Sequence, residues 1–388
     1  MTGNSSTYLG ELFRSSRKKG EEGLPLLSVT LNDGLIVRDL LDRRTETNLE
    51  ANEHLLVKSG DIAYNMMRVW QGALGRASVD GLVSPAYVVL RSNSKIDSLY
   101  AEYLFKTPRM IYLFWAYSYG LTKDRLRLYF NDFARIPVTI PNLEEQKKIA
   151  QLLSTWDKAI TTTAQLLANS KQQKKSLMQQ LLTGKKRLLD KNGVRFEGRW
   201  RKLPFSDLVS LVKTKFDPKS NADDVRECIE LEHIAQESSS LIGSTNTIDV
   251  VSTKTAFEKN DVLFGKLRPY LRKYWKADRQ GVCSTEIWVF RTKAKVAADY
   301  IFQVVQLDSF IEVANKSSGT HMPRADWNVV KDFLIPTPPL EEQQKIAALL
   351  SAADQEITTL QQNLDALKQE KKALMQQLLT GKRRVMVN

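Results

Sequence analysis

The chain is poor in the residues that carry thiol and metal chemistry. It has two cysteines, Cys228 and Cys283, and three histidines, His54, His233 and His321, among 388 residues. The cysteines have no CxxC spacing and the histidines are scattered, so no metal site can be written. Both thiols fit reduced, buried positions in a cytoplasmic protein. No GxGxxG loop follows a strand pattern and no GxxxxGK[ST] occurs, which removes dinucleotide, S-adenosylmethionine and Walker-type ATP sites from this chain. No Cys/His or Ser/His/Asp arrangement suggests a nucleophile. No run of 18 apolar residues is present, and the richest aromatic stretch, 114–119, is too short to span a bilayer. The reading is therefore no catalytic residue, no metal, no cofactor and no membrane. Negative charge is also scarce: 57 Lys+Arg against 44 Asp+Glu leave +13. That balance favours a nucleic-acid partner over an acidic small molecule.

What the chain does have is one segment twice. Residues 143–187 read LEEQKKIAQLLSTWDKAITTTAQLLANSKQQKKSLMQQLLTGKKR, and 340–384 read LEEQQKIAALLSAADQEITTLQQNLDALKQEKKALMQQLLTGKRR. They align without a gap, with two-thirds of positions identical. Apolar residues recur at alternating steps of four and three, the seam of a coiled coil. In the first copy the seam is Ile149, Leu153, Trp156, Ile160, Leu167, Leu177 and Leu181. In the second it is Ile346, Leu350, Ile357, Leu360, Leu364, Leu374 and Leu378. Each helix should be about 60 Å long, and the obvious partner of one seam is the other. Asn142 can cap the first helix, Pro338 and Pro339 open the second, and Gly184 and Gly381 suit left-handed caps. Lys174 and Lys371 interrupt the seam at equivalent places. They either fix register or mark local fraying.

Between the helices lie two blocks of another character. Residues 1–7 read as loose. Short apolar runs at 26–30, 35–38, 54–57, 61–66, 73–79 and 86–91 then read as strands of a mixed or antiparallel sheet. Residues 97–117 read as two helices parted by Pro108, and 133–141 as an extended lead-in. After a polar linker, 188–201, the pattern recurs: 58–68 aligns with 258–268, Asp61 with Asp261, Arg68 with Arg268, Gly81 with Gly281 and Ser84 with Ser284. Framework residues match while the fillings differ, which suggests one scaffold reading two different things.

Candidate DNA contacts are basic residues interleaved with aromatics. Arg and Lys neutralise phosphates or reach guanine edges, and aromatics pack on sugars or bases. In the second block these are Lys266, Arg268, Tyr270, Arg272, Lys273, Tyr274 and Lys276, with Thr320 and Arg324 in a later loop. In the first they are Arg68, Trp70 and Arg76, with Lys123, Arg125 and Arg127. An ordinary hairpin with a solvated basic face is the competing reading. Two readers on a duplex need about one helical turn between them, 34–36 Å, or a multiple. Helices of this length can supply that spacing.

The duplicated PxLEEQxKIAxLLS and LMQQLLTGKxR segments, with a variable block before each, resemble the specificity (S) subunits of type I restriction-modification systems over nearly the whole chain. The resemblance implies an α+β fold with two similar target-recognition domains joined by two long helices packed as an antiparallel coiled coil, related by an internal pseudo-two-fold. The corresponding division is 1–141, first target-recognition domain; 142–187, first helix; 188–339, linker and second target-recognition domain; and 340–388, second helix and tail. The resemblance also implies a non-catalytic subunit that reads a bipartite double-stranded DNA target. Its implied partners are two modification (methyltransferase) subunits, docked on the outer helix faces, and restriction (motor-nuclease) subunits. S-adenosylmethionine, ATP and magnesium are expected only in those partners. A coiled-coil scaffold whose blocks bind protein is the alternative. One departure stands out: the first block has no counterpart of residues 193–202. Either its N-terminus is short, or the tail 385–388 lies beside it and completes it.

Overall fold

The computed structural model describes residues 5–31, 33–41, 48–122, 125–190, 192–221, 223–237, 240–316 and 322–386. The chain divides into two compact units. One comprises 1–163 with 363–388, the other 164–362. Each long helix, Leu143–Leu181 and Leu340–Leu378, contributes one end to each unit.

In the first unit a four-stranded antiparallel sheet runs in the order Phe13–Ser16, Tyr87–Ser92, Ile62–Asn65, Leu74–Arg76. The helices Ser98–Phe105 and Pro108–Ala116 cover it, with the break at Pro108 that the sequence predicts. Pro108 stands at the first helical position, where its missing N–H is not needed, and Thr107 caps that turn. Phe133 is fully buried among Phe13, Tyr64, Phe105 and Phe114. Ile149, Leu153, Leu378 and Leu379 enter the same core. The seam residues at this end therefore pack on the domain as well as on the opposite helix.

The second unit repeats this plan. Its four-stranded sheet runs Val209–Leu211, Ile287–Thr292, Val262–Gly265, Tyr274–Lys276. Phe205, Phe264, Phe290 and Phe310 form its aromatic centre, and Leu181, Leu182, Ile346 and Leu350 join them. A second sheet of five short strands includes one parallel pair, Glu227–Ile229 with Gly281–Cys283. Framework matches have physical causes. A Cβ on Gly81 would sit 2.7 Å from Leu27, and one on Gly281 2.7 Å from Phe257. Asp61 and Asp261 are both buried. Each accepts the backbone N–H three residues earlier and faces an arginine, Arg91 or Arg291.

Within each unit the two helix segments run antiparallel. In the first, Asp157 pairs with Lys371, and Glu145 with Arg384 at 2.5 Å. In the second, Lys174 meets Asp354 at 2.5 Å, and Arg187 meets Glu342 at 2.6 Å. Lys174 also donates to Gln306, and Asp157 accepts the Tyr103 hydroxyl. The seam lysines are thus held by partners rather than frayed, and a one-turn slip would leave both unpaired, which fits a register-fixing role. All fourteen predicted seam residues are buried or half-buried.

The LEEQ and TGKxR ends now have a chemistry. Glu145 and Glu342 hold the arginines that follow the glycine caps, Arg384 and Arg187. Gln146 and Gln343, both essentially buried, accept the N–H of Asp97 or Ala297, the residue just before the domain helix. Each amide also donates to the carbonyl of Pro141 or Pro338. Asn142 caps the first helix through the Glu145 N–H at 3.0 Å, and Gly184 and Gly381 adopt φ of +75° and +71°.

Residues 1–7 are not loose throughout: Ser5–Tyr8 pairs with Pro137–Ile140, as Arg201–Pro204 pairs with Leu334–Thr337. Its side chains carry no burial signal (only Thr7 is half-buried), so backbone hydrogen bonds alone define it. The tail also takes part. Val385 packs on the first unit's core and Met386 O accepts from Lys148, matching Leu188 and the Lys345 contact to Leu189 O. A short helix, Phe130–Ala134, precedes the extended segment where the sequence suggests strand alone.

Candidate nucleic-acid interface

The hairpin 262–276 of the second unit turns through Pro269–Leu271. Arg268 and Arg272 flank this turn, both left-handed at φ +52° and +50°. Left-handed non-glycine residues cost about 1–2 kcal/mol each. The first unit places Gly72 at the matching second position, φ +100°, while Arg68 there has φ −132°. Arg272 is anchored: it reaches the Asp308 carboxylate and the Gln306 carbonyl. Burial works against the charge of Asp308, yet Arg272 and Lys175 hold its carboxyl below the usual range. Arg268 is exposed, its backbone N–H donates to Pro323 O at 2.7 Å, and its guanidinium has no partner among the described residues.

The other candidates divide by environment. Tyr274 is a core residue, not a surface reader: its ring is 6% exposed and packs on Phe302. Burial pushes its phenol pKa up. The reason is that this strand is covered on both faces, since Trp275, pointing the other way, is equally buried against Phe257. Lys273 donates to Leu231 O, Lys276 pairs with Asp299, and Arg324 pairs with Glu286. Lys266 is half-buried and Tyr270 is exposed. In the first unit Trp70 donates its indole N–H to Met67 O and Arg76 donates to Ser98 Oγ, while Arg68 and Arg125 are exposed. Arg127 reaches the Tyr129 hydroxyl at 3.4 Å. Lys123 and Thr320 lie outside the described residues.

The first unit also holds a cleft of about 820 Å³ lined by Arg17, Lys19, Tyr87, Tyr119 and Tyr129. Tyr119 and Tyr129 stand 5.8 Å apart and are 59% and 37% exposed. Aromatic faces beside cations suit nucleic acid. Sequence reading missed Arg17, Lys19, Tyr87 and Tyr129, because they come from three separate segments. Among the described residues no group of His, Cys, Asp or Glu could hold a metal, and no helix is long and apolar enough to cross a membrane.

One pair is sensitive to acid. Arg279 lies over Trp275 and donates two hydrogen bonds to Glu227. Mainly through these bonds, the Glu227 carboxyl falls from its ordinary 4.5 to about 2. Folding lowers this pKa, so the pair stabilises the unit in full above about pH 4.5 and loses that contribution as the pH falls toward 2. Glu227→Gln should therefore unfold at lower urea than the parent at neutral pH, with the two midpoints converging in acid.

Two domains of one design, each presenting exposed cations and aromatic side chains, fit a nucleic-acid reader. The sequence matches the family described as type I restriction modification DNA specificity domain over residues 9–172 and 199–369. The chain belongs to this family and is a DNA sequence-recognition subunit of the type I restriction-modification class. It is 24% identical over 361 residues to the type I restriction enzyme MjaVIII specificity subunit of Methanocaldococcus jannaschii, covering 86% of this chain and 81% of that one. It is 31% identical over 98 residues to the EcoDI specificity subunit of Escherichia coli, 25% of this chain and 22% of that one. Its fold is similar to the type I S subunit of M. genitalium, with TM-score 0.58, 14% identity and 97% and 96% of the two chains covered. A chain solved in work on complex assembly and conformational transition of the type I R-M system gives TM-score 0.52, 15% identity and 98% coverage of both.

Proposed function

We propose that each target-recognition domain reads one half of a bipartite DNA site. On this reading the paired helices set the unread spacer and two modification subunits dock on them. The chain has no catalytic role: adenine methylation and cleavage belong to the modification and restriction subunits. Those subunits hold the S-adenosylmethionine, ATP and magnesium, and the complex works in the cytoplasm. The observation that carries the reading is the repeated hairpin: one scaffold presents Arg68 in one unit and Arg268 in the other, both exposed, amid different neighbours. Phosphate contacts then set affinity and base contacts set sequence.

The test is mapping methylated adenines in cells that carry the complex, which yields both half-sites and the spacer. Deleting one heptad from both helices is expected to change the spacer or abolish binding while each half-site stays the same. An altered half-site with an unchanged spacer would contradict the ruler. A complex that shows no sequence-dependent, salt-sensitive binding on duplex DNA would sink the whole reading.

A further inference from the structure

In the second unit the hairpin turn Pro269–Leu271 is tied to the first long helix. Arg272 closes the turn, its N–H on Pro269 O and its φ left-handed at +50°. Its guanidinium leaves the turn and reaches the Asp308 carboxylate and, at 3.3 Å, the Gln306 carbonyl. Both acceptors lie where helix Ala298–Val304 gives way to helix Asp308–Ala314. From there the contacts run on to the long helix. Lys175 reaches Asp308 at 3.1 Å, and Lys174 donates to Gln306 Oε1 at 2.7 Å and to Asp354. Gln306 is 6% exposed, and its amide nitrogen donates to Phe302 O. A continuous relay of charge-assisted hydrogen bonds, the strong kind, thus joins the turn that carries Arg268 to two helix lysines.

The first unit keeps the helix end of this relay and lacks the rest. Lys371 pairs with Asp157 as Lys174 pairs with Asp354. Gly72, however, stands where the second unit has Arg272, Lys106 where it has Gln306, and Pro108 where it has Asp308. The Lys106 side chain can only donate and is paired with Glu102. Pro108 has no side-chain acceptor at all. Positions from two separate segments therefore differ together, and each difference removes one link. A left-handed arginine is strained where a glycine is not. The strain at Arg272 is borne for a side chain that is only 25% exposed and points into the protein's own acceptors.

We propose that Arg272 is a positioning residue of the second domain. It fixes the turn against the first long helix through Asp308, Gln306, Lys174 and Lys175, and so aims Arg268 and Tyr270 at the half-site this domain reads. A turn already held in place need not be ordered when DNA binds. Lys174 and Lys175 thereby influence base reading without touching DNA, and the first domain reads without such a brace. The proposal rests on the bipartite reading.

The test compares Arg272→Gly and Asp308→Ala in the assembled complex. Binding is measured to the duplex that the parent methylates and to single-base changes in either half-site. Both variants should lose about tenfold in discrimination at one half-site, the same for both, and nothing at the other. Asp308→Ala is the decisive arm. It keeps the Arg272 guanidinium and removes a negative charge, so binding tightens if Arg272 itself contacts DNA. Reading weakens if Arg272 only positions the turn. Arg272→Lys, which can keep the Asp308 pair, should retain most of the discrimination. Hydrogen exchange of the same complex without DNA reads the brace directly: the Leu271 and Arg272 amides should exchange about tenfold faster in Arg272→Gly and Asp308→Ala. Tighter binding by Asp308→Ala, equal loss at both half-sites, or unchanged exchange would each overturn the proposal. A parent complex that discriminates at neither half-site sinks the bipartite reading and this proposal with it. A discriminating parent matched by both variants sinks this proposal alone.

Discussion

Glu342→Ala is expected to lower the unfolding free energy by about 3–5 kcal/mol, the usual cost of breaking a buried charge pair from one side. Glu342 has 0% side-chain exposure and accepts two hydrogen bonds from Arg187, at 2.6 and 2.7 Å. The indole N–H of Trp200 donates to the same carboxylate at 3.1 Å, and the guanidinium lies 5.4 Å from the Trp200 ring centroid. Alanine would leave a guanidinium that is only 19% exposed, together with an indole N–H, without their acceptor. Glu145→Ala removes the equivalent carboxylate of the first unit, but Arg384 is 42% exposed and can turn to water. It should therefore cost less. Urea unfolding followed by circular dichroism measures both. Equal midpoints for the two variants would show that the shelter of Trp200 adds nothing. The double variant Arg187→Met, Glu342→Leu should recover much of the loss, because it removes both charges together.

That contrast bears on what the duplicated segment reveals in advance. Its helices, caps and seam are legible because apolar spacing, Asn142 and the two glycines act locally. Its identical LEEQ and TGKxR ends are visible as identity, yet their purpose is not. Glu342 and Arg187 are 155 residues apart, and only the antiparallel packing brings them together. Identity of Glu, Gln and Arg in both copies, at sites where a surface helix would tolerate any polar residue, was the signal available. Ser5–Tyr8 carried no signal at all. Its side chains are mostly exposed, and the strand exists because the backbone of Pro137–Ile140 needs partners.

The interface was legible in part for a related reason. Composition marks the hairpin 266–276 as basic and aromatic, but the acids that commit its cations lie elsewhere in the chain. Asp308 takes Arg272 and Asp299 takes Lys276. Strand alternation would have put one of Tyr274 and Trp275 in solvent, whereas a second core covers the other face. The surviving candidates are those for which the fold supplies no internal acceptor.

Arg268 is the sharpest of them, and it separates backbone from side-chain roles. Its left-handed geometry is one that glycine adopts without penalty. Arg268→Gly removes the guanidinium and the strain together, and Arg268→Ala removes only the guanidinium. Thermal unfolding should therefore place glycine above alanine by about 1 kcal/mol. DNA binding by the assembled complex should fall alike for both, by about 1–3 kcal/mol, or roughly tenfold to a hundredfold. The form of the loss identifies the contact. If Arg268 reaches a base edge, discrimination relaxes at one position of the half-site read by the second domain, and the first half-site is untouched. If it neutralises a phosphate, affinity falls evenly across sequences and the slope against log salt shallows by about one. A glycine variant that melts higher and binds DNA as tightly as the parent would therefore remove Arg268 from the interface.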